Sequence, residues 1–356
     1  MSMNKKKVIP IFFASDNNYA PYLAVTLKSL LANASSDYFY KIYVLTSNIS
    51  EDKKERIKAL LTENSSIEFC DVKDELEKIR ADLQLRDYYS LETYYRFFID
   101  SLFPQYDKVI YLDCDIIVKG DISKFYNTNI KNYLVAAVPE QVMQKYKEFS
   151  NYVEKALDVK TKNYFNAGVL LINTKMFRAY NIKQRFSQII KSFKFRVTQD
   201  EDYLNVLCKN KVKYLDYGWN KMPFDDAKFN TKKVNLIHYN LNWKPWHYKH
   251  ILFEDDFWYY ASLTDFYKEI KEAQKNNTFE QKMNDIKSFE NLKLIAVEDT
   301  NDPSNYKNTN DRILKGHYLK KSLKKISSLK GLSFIFRFFG TQGYKLTYGY
   351  RNRKRQ

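Results

Sequence analysis

The chain has 356 residues, a formal net charge of +17, 44% hydrophobic residues, and only 8 Gly and 7 Pro. That length can bury a sizeable core as one large domain or two smaller ones, and the composition excludes fibrous and low-complexity chains. The charge is uneven: Asn305 to Gln356 holds nine Lys and five Arg against the single acid Asp311, which leaves +4 for the first 304 residues. Basic charge confined to one end disfavours a nucleic-acid enzyme, and no nucleic-acid partner is expected.

In chain order, Met1 to Lys7 is basic, but the apolar run behind it is short, contains Pro10 and ends in Ser15-Asp16 without a small-residue cleavage pattern. It does not read as a signal peptide. Val8–Ala14 reads as a strand, with Pro10 tolerable near its start or on an edge. Tyr22–Leu31 carries Leu23, Leu27, Leu30 and Leu31 at helical spacing, and Lys41–Thr46 is the next strand. Ser50 is a plausible N-cap for a helix running to about Leu61, and Ile67–Val72 is a third strand. Thr93–Leu102 looks helical, and strands follow at Lys108–Leu112, Tyr133–Val138 and Gly168–Ile172, with helices near Lys175–Ser192 and Gln199–Lys209. After Trp246 the pattern is helical and aromatic. Residues 271–311 read as a polar, irregular connection. Strands alternating with helices predict an α/β fold with a mostly parallel sheet, which binds ligands beyond the carboxyl ends of its strands; Asp16 and Asp113 both lie at such ends.

Beyond residue 311, Leu319, Leu323, Ile326, Leu329, Leu332 and Ile335 recur every three or four residues with Lys320, Lys321, Lys324 and Lys325 between them. This predicts a basic amphipathic helix over 312–356. Such a helix can lie in the headgroup layer of an anionic membrane, or dock on the main domain with a solvated Lys face. No stretch approaches the roughly 20 apolar residues of a spanning helix. Cys70, Cys114 and Cys208 lack paired spacing for zinc or disulfides, so the chain is expected to be cytoplasmic and peripheral on the inner membrane face.

The densest chemical signal is Tyr111-Leu112-Asp113-Cys114-Asp115, framed by Val109-Ile110 and Ile116-Ile117-Val118. In an extended chain the side-chain period is two, so Asp113 and Asp115 project to one side and Cys114 to the other. Two bare carboxylates repel, and burying an unpaired charge is costly. A divalent cation resolves both problems, and oxygen ligands suit Mg²⁺ or Mn²⁺. Solvated acids at a strand end are the plainer alternative, and Asp200-Glu201-Asp202 repeats the spacing.

Four further segments accompany the acidic one: Ala14-Ser15-Asp16-Asn17-Asn18-Tyr19, Thr93-Tyr94-Tyr95-Arg96-Phe97, Phe165-Asn166-Ala167-Gly168 and His238-Tyr239-Asn240-Leu241-Asn242-Trp243-Lys244. In this order and spacing the chain resembles, over roughly residues 8 to 260, the retaining glycosyltransferases of family 8. That group contains bacterial galactosyl- and glucosyltransferases of surface glycans and, more distantly, glycogenin. The resemblance implies a GT-A fold, the Rossmann-like fold of nucleotide-diphospho-sugar transferases, over residues 1–270, with the C-terminal basic extension added. It implies transfer of galactose or glucose from UDP-galactose or UDP-glucose to a glycan acceptor.

In such a transferase the nucleotide would be held by Ala14, Ser15, Asp16, Asn18, Tyr19, Leu91, Arg96, Leu112, Asp113, Cys114, Leu241 and Lys244. Asp113, Asp115 and His238 would ligate Mn²⁺, with Mg²⁺ possible. Arg96, Asn166, Ala167, Gly168, Asp200 and Glu201 would line the donor-sugar pocket, with Asp200 and Glu201 nearest the chemistry. The sequence departs from the family pattern at Glu201, usually Gln, and at Leu241, usually Gly. A carboxylate at 201 would stabilise a cationic sugar better than an amide, or attack it; an uninvolved helix-surface Glu is the alternative. Two other readings remain: a sugar-phosphate nucleotidyltransferase, although Ala14–Tyr22 lacks the Gly and basic residues of a phosphate loop, and a non-catalytic membrane- or RNA-binding module.

Overall fold

A computed structural model describes residues 6–72, 74 and 91–310, with Leu91 described in its backbone only. The basic extension expected over 312–356 lies outside the described residues. A compact unit runs to Asp302, and residues 303–310 belong to a second.

Among the described residues nine strands form two sheets: β1 Lys7–Ala14, β2 Tyr38–Thr46, β3 Ser65–Asp71, β4 Val109–Leu112, β5 Ile116–Val118, β6 Val135–Ala137, β7 Val169–Ile172, β8 Val212–Tyr214 and β9 Leu236–His238. The larger is ordered β3-β2-β1-β4-β7-β6-β8, and β5 pairs with β9 in a separate ribbon. The β3-β2-β1-β4 half is parallel throughout. β7 runs antiparallel to both β4 and β6, and β8 is parallel to β6. The predicted α/β class with a mixed, mostly parallel sheet is therefore the observed one. β1 is interior, yet Pro10 fits because pairing with β4 begins only at Ile11; a missing N–H costs little where no partner strand stands. Ile9, Ile11 and Phe13 of β1, Ile42 and Val44 of β2 and Leu23, Leu27 and Leu30 of the helix Ala20–Ala32 share one buried cluster.

Several elements differ from expectation. The apolar run around the acidic pair is not one strand: β4 and β5 belong to different sheets, and Asp113 to Asp115 is the bend between them. Thr93–Leu102 is a 3₁₀ turn, Leu91–Phe97, followed by the short helix Ile99–Leu102. The single helix expected over Lys175–Ser192 is two, Thr174–Ala179 and Ile182–Ser192, separated where Asn181 adopts φ 53°; Asn tolerates the left-handed region better than most residues. The largest difference lies in residues 271–311, read as irregular. The helix Tyr267–Asn276 occupies the start, and Phe279–Asn301 forms a helix of 23 residues. A capping box starts it, Thr278 accepting from the Gln281 N–H while Gln281 accepts from the Thr278 N–H. Its Phe289 ring meets Tyr146, Phe149 and Trp243 edge to face. A polar surface hid three well-spaced anchors, Asp285, Leu292 and Ala296, which are buried. No helix among the described residues is long and apolar enough to cross a membrane.

Candidate active site

The bend between β4 and β5 is held by the neighbouring helix. Thr26 Oγ1 donates toward the carbonyls of Cys114 and Ile116, at 2.7 and 2.8 Å, and Ser29 Oγ accepts from the Val118 N–H at 3.0 Å. Backbone groups that a continuous sheet would satisfy are met by buried hydroxyls, as buried polar groups require. In the β5–β9 ribbon Ile116 stands opposite His238, which brings the imidazole beside Asp115. The period-two expectation therefore gave the right convergence for the wrong reason: Asp113 and Asp115 meet at His238 because the chain turns. Cys114 points away, its thiol donating to the Ala14 carbonyl.

The polar network fixes atom identities. Gly168 N–H donates to Asn166 Oδ1 at 3.0 Å, so Asn166 Nδ2 faces the other way. Asn220 Nδ2 donates to the same oxygen at 2.8 Å, which leaves Asn220 Oδ1 toward His238 Nδ1 at 3.0 Å. His238 Nδ1 is thus a donor, and Nε2 is the ring nitrogen turned toward the acidic pair. Asp115 Oδ1 lies 3.1 Å from that nitrogen, buried and without a hydrogen-bond donor. The ligand atoms of Asp113, Asp115 and His238 all lie within 4.8 Å of one another, a spacing that could hold one metal ion. Gly168 leaves the necessary room. A Cβ there would stand 2.5 Å from the His238 ring and closer still to the Asp113 carboxylate.

Arg96, 3% exposed, links this cluster to the next one. Its Nη2 contacts Asp113 Oδ1 at 3.0 Å, Nε approaches Asp200 Oδ2 at 3.3 Å, Nη1 donates to the Ala167 carbonyl, and the guanidinium lies over the Tyr111 ring. Lys244, assigned above to the nucleotide, here pairs with Asp115 and donates to the Tyr239 carbonyl at 2.8 Å. Burial would lift the Asp115 carboxyl, but the Lys244 ammonium holds it below the ordinary carboxylate range.

Ala14, Ser15, Asp16, Tyr19, Arg96, Asp113, Cys114, Asp115, His238, Leu241 and Lys244 line one cleft. Asp16 is also doing turn duty there, accepting from the Tyr19 N–H at 2.8 Å. Two nucleotide-site expectations fall elsewhere: Asn18 is exposed, and Leu112 is fully buried in the core, neither lining the cleft. The Leu91 side chain lies outside the described residues. Glu92, Thr93, Tyr111 and Asn240 complete the cleft, although the sequence reading gave them no role.

The sugar-side expectations form a second cluster on the far side of Gly168. The helix Asp200–Cys208 follows Gln199 at φ 53°, placing Asp200, Glu201 and Asp202 in its first turn, where the helix dipole favours anions. Burial pushes Asp200 up to about 6 against the pull of Arg96, and pushes Asp202 up to about 6 against the Tyr164 hydrogen bond. Glu201 Oε2 accepts from the Ala167 N–H at 2.8 Å and lies 3.2 Å from Asn166 Nδ2. It is no helix-surface Glu. It lines a smaller cavity with Glu140 and Leu292, which shares Asn240 and Leu241 with the cleft. Glu140 was missed, though it follows the carboxyl end of β6 as Asp113 follows β4. Asn220 carried no sequence signal at all.

Solved structures share this architecture. The apo bifunctional glycosyltransferase WbbM superimposes with a TM-score of 0.68 at 27% identity, covering 78% of this chain and 53% of that one, so the chain spans about half of it. The galactosyltransferase LgtC, solved with donor and acceptor sugar analogs, gives 0.62 at 28% identity, covering 72% of this chain and 96% of that one. A putative glycosyltransferase of Haemophilus influenzae is 32% identical over 232 residues, 64% of this chain and 67% of the relative. Sheet, bend and acidic cluster together define a glycosyltransferase of the GT-A fold. Residues 10–250 match the pattern of Glycosyl transferase family 8, and the chain belongs to that family.

Proposed function

We propose that the chain transfers a hexose, galactose or glucose, from its UDP derivative to a surface-glycan acceptor, a lipid-linked saccharide, polysaccharide or glycoprotein, with retention at the anomeric carbon. The observation that carries this reading is the convergence of His238 Nε2 with Asp115 Oδ1, which has no hydrogen-bond partner, beside Asp113 and the space left by Gly168. Asp113, Asp115 and His238 would hold Mn²⁺, or Mg²⁺, and an imidazole ligand favours the former. Such an ion supplies Lewis-acid neutralisation of the departing diphosphate.

The residues of the chain supply the rest. Asp16 and Tyr19 bind the nucleoside; Lys244 exchanges Asp115 for a phosphate; Arg96 orients the Asp113 and Asp200 carboxylates; Asn166, Ala167, Gly168 and Asp200 shape the sugar pocket. Glu201, buried against Ala167, places negative charge beside the anomeric carbon as the bond to UDP breaks. Residues 312–356 would bring the enzyme to an anionic membrane surface, so deleting 315–356 should abolish vesicle binding and leave UDP-sugar hydrolysis intact.

A panel of UDP-sugars, with and without Mn²⁺, tests the reading by released UDP and transferred mass. Metal-dependent UDP release from UDP-galactose or UDP-glucose is expected. Absence of hydrolysis and transfer with every UDP-hexose would sink it.

A further inference from the structure

Two carboxyl groups of the smaller cavity end on one amide. Asn166 Nδ2, whose orientation the Gly168 N–H fixes, lies 2.7 Å from Glu140 Oε2 and 3.2 Å from Glu201 Oε2. The other Glu140 oxygen accepts from the Val142 N–H at 2.9 Å, and Glu201 takes the Ala167 N–H. Both side chains are buried, 2% and 9% exposed, against Val142, Phe149 and Leu292. The nearby buried cations among the described residues are committed elsewhere, Arg96 to Asp113 and Asp200, Lys244 to Asp115.

We propose that Glu140 and Glu201 hold one proton between them at neutral pH, so that the pair carries a single negative charge and Glu140 is a positioning residue that sets the charge of Glu201. Two adjacent carboxylates in a low-dielectric site cannot both ionise without a counter-charge, and a shared proton removes the repulsion. Burial lifts both groups, and the Glu140 charge lifts Glu201 further. The other charged or titratable groups facing the pair do not reverse this. Asp200 and Asp202 on the Glu201 helix add negative potential, Tyr164 is held neutral by its own burial, Arg96 acts on Glu201 only from a distance, and His238 acts likewise on Glu140. The inference rests on the transferase reading only for the use of that charge; the proton itself is a property of the resting protein.

Infrared spectroscopy of the full chain carrying ¹³C-labelled glutamate separates this proton from those of Asp200 and Asp202. At about pH 8, where carboxyls titrating near 6 are ionised, the wild type should show one protonated glutamate carbonyl band per chain. The band should vanish in both Glu140→Gln and Glu201→Gln, because the remaining carboxylate keeps its N–H donors and loses its rival. A wild type without the band, or a band surviving in either variant, overturns the proposal. If UDP-hexoses are not turned over but the band behaves as stated, the transferase reading fails and the proton pair stands.

Discussion

Gly168 separates two halves of the site that handle buried negative charge in opposite ways. On the cleft side Asp113 and Asp115 are balanced by cations, Arg96 at 3.0 Å and the Lys244 ammonium, with His238 alongside. On the other side stand Glu140, Asp200, Glu201 and Asp202, and among the described residues only Asp200 has a cation in contact, Arg96 at 3.3 Å. Hydrogen bonds serve there instead: Asp202 accepts from the Tyr152 and Tyr164 hydroxyls at 2.8 and 2.7 Å. Exchangeable cations suit a place where charged ligands must come and go. Protons and fixed donors suit one that receives an uncharged sugar.

The contrast breaks first at its strongest point. Asp115→Asn removes the oxygen facing His238, and UDP release should fall roughly 10³-fold, with the Mn²⁺-dependent rise in Tm lost as well. Retention of that rise would show that the cluster is not a cation site. Gly168→Ala probes the same space without touching a ligand. Its Cβ would press on the His238 ring and the Asp113 carboxylate, so Mn²⁺ affinity measured by calorimetry should drop about 10²-fold, a loss of the size seen when the support of a metal ligand is disturbed. Unchanged affinity would mean that the imidazole and carboxylate relax away from each other.

Titration reads the two halves with opposite signs. Asp200 and Asp202, pushed to about 6, bind protons more readily folded than unfolded. The stability they contribute is full below about pH 4 and is lost as pH rises through 6. Asp115, held below the ordinary range, contributes stability above that range which is lost as pH falls through it. If ionised Asp200 is needed for turnover, activity should drop about tenfold per unit below pH 6, while Tm between pH 4 and 6 does not fall with it. A turnover loss that follows the unfolding curve would remove the distinction.

Much of the cleft half was legible because its residues announce themselves locally. Asp16 and Asp113 follow hydrophobic strands, and Asp-x-Asp with a later His is a compact pattern. The other half is assembled by tertiary contacts that leave no local trace. Glu140 looks like any acid after a Pro, Asn220 sits in a loop between β8 and β9, and Leu292 lies on a helix whose surface polarity resembled a linker. The extended chain assumed through Asp113 and Asp115 failed for a related reason, since Thr26 and Ser29, from a helix distant in sequence, supply the partners that allow the chain to bend.

Leu241 lines both cavities, and it is the mildest place to test whether they are separate. Its φ of 54° is left-handed, which a branched side chain adopts at a cost of roughly 1–2 kcal/mol. Glycine removes that strain but gives up half-buried apolar contact and gains freedom in the unfolded chain. These terms oppose one another, so Leu241→Gly should change stability by less than about 1 kcal/mol, in contrast to the 2–5 kcal/mol of a truncated core leucine. Without the side chain the two cavities become continuous. Water then reaches the carboxyl side from the cleft, and UDP released by hydrolysis should rise relative to sugar transferred. A destabilisation of core size would place Leu241 among the packing residues, and an unchanged ratio would show that the backbone at 240–241 divides the halves unaided.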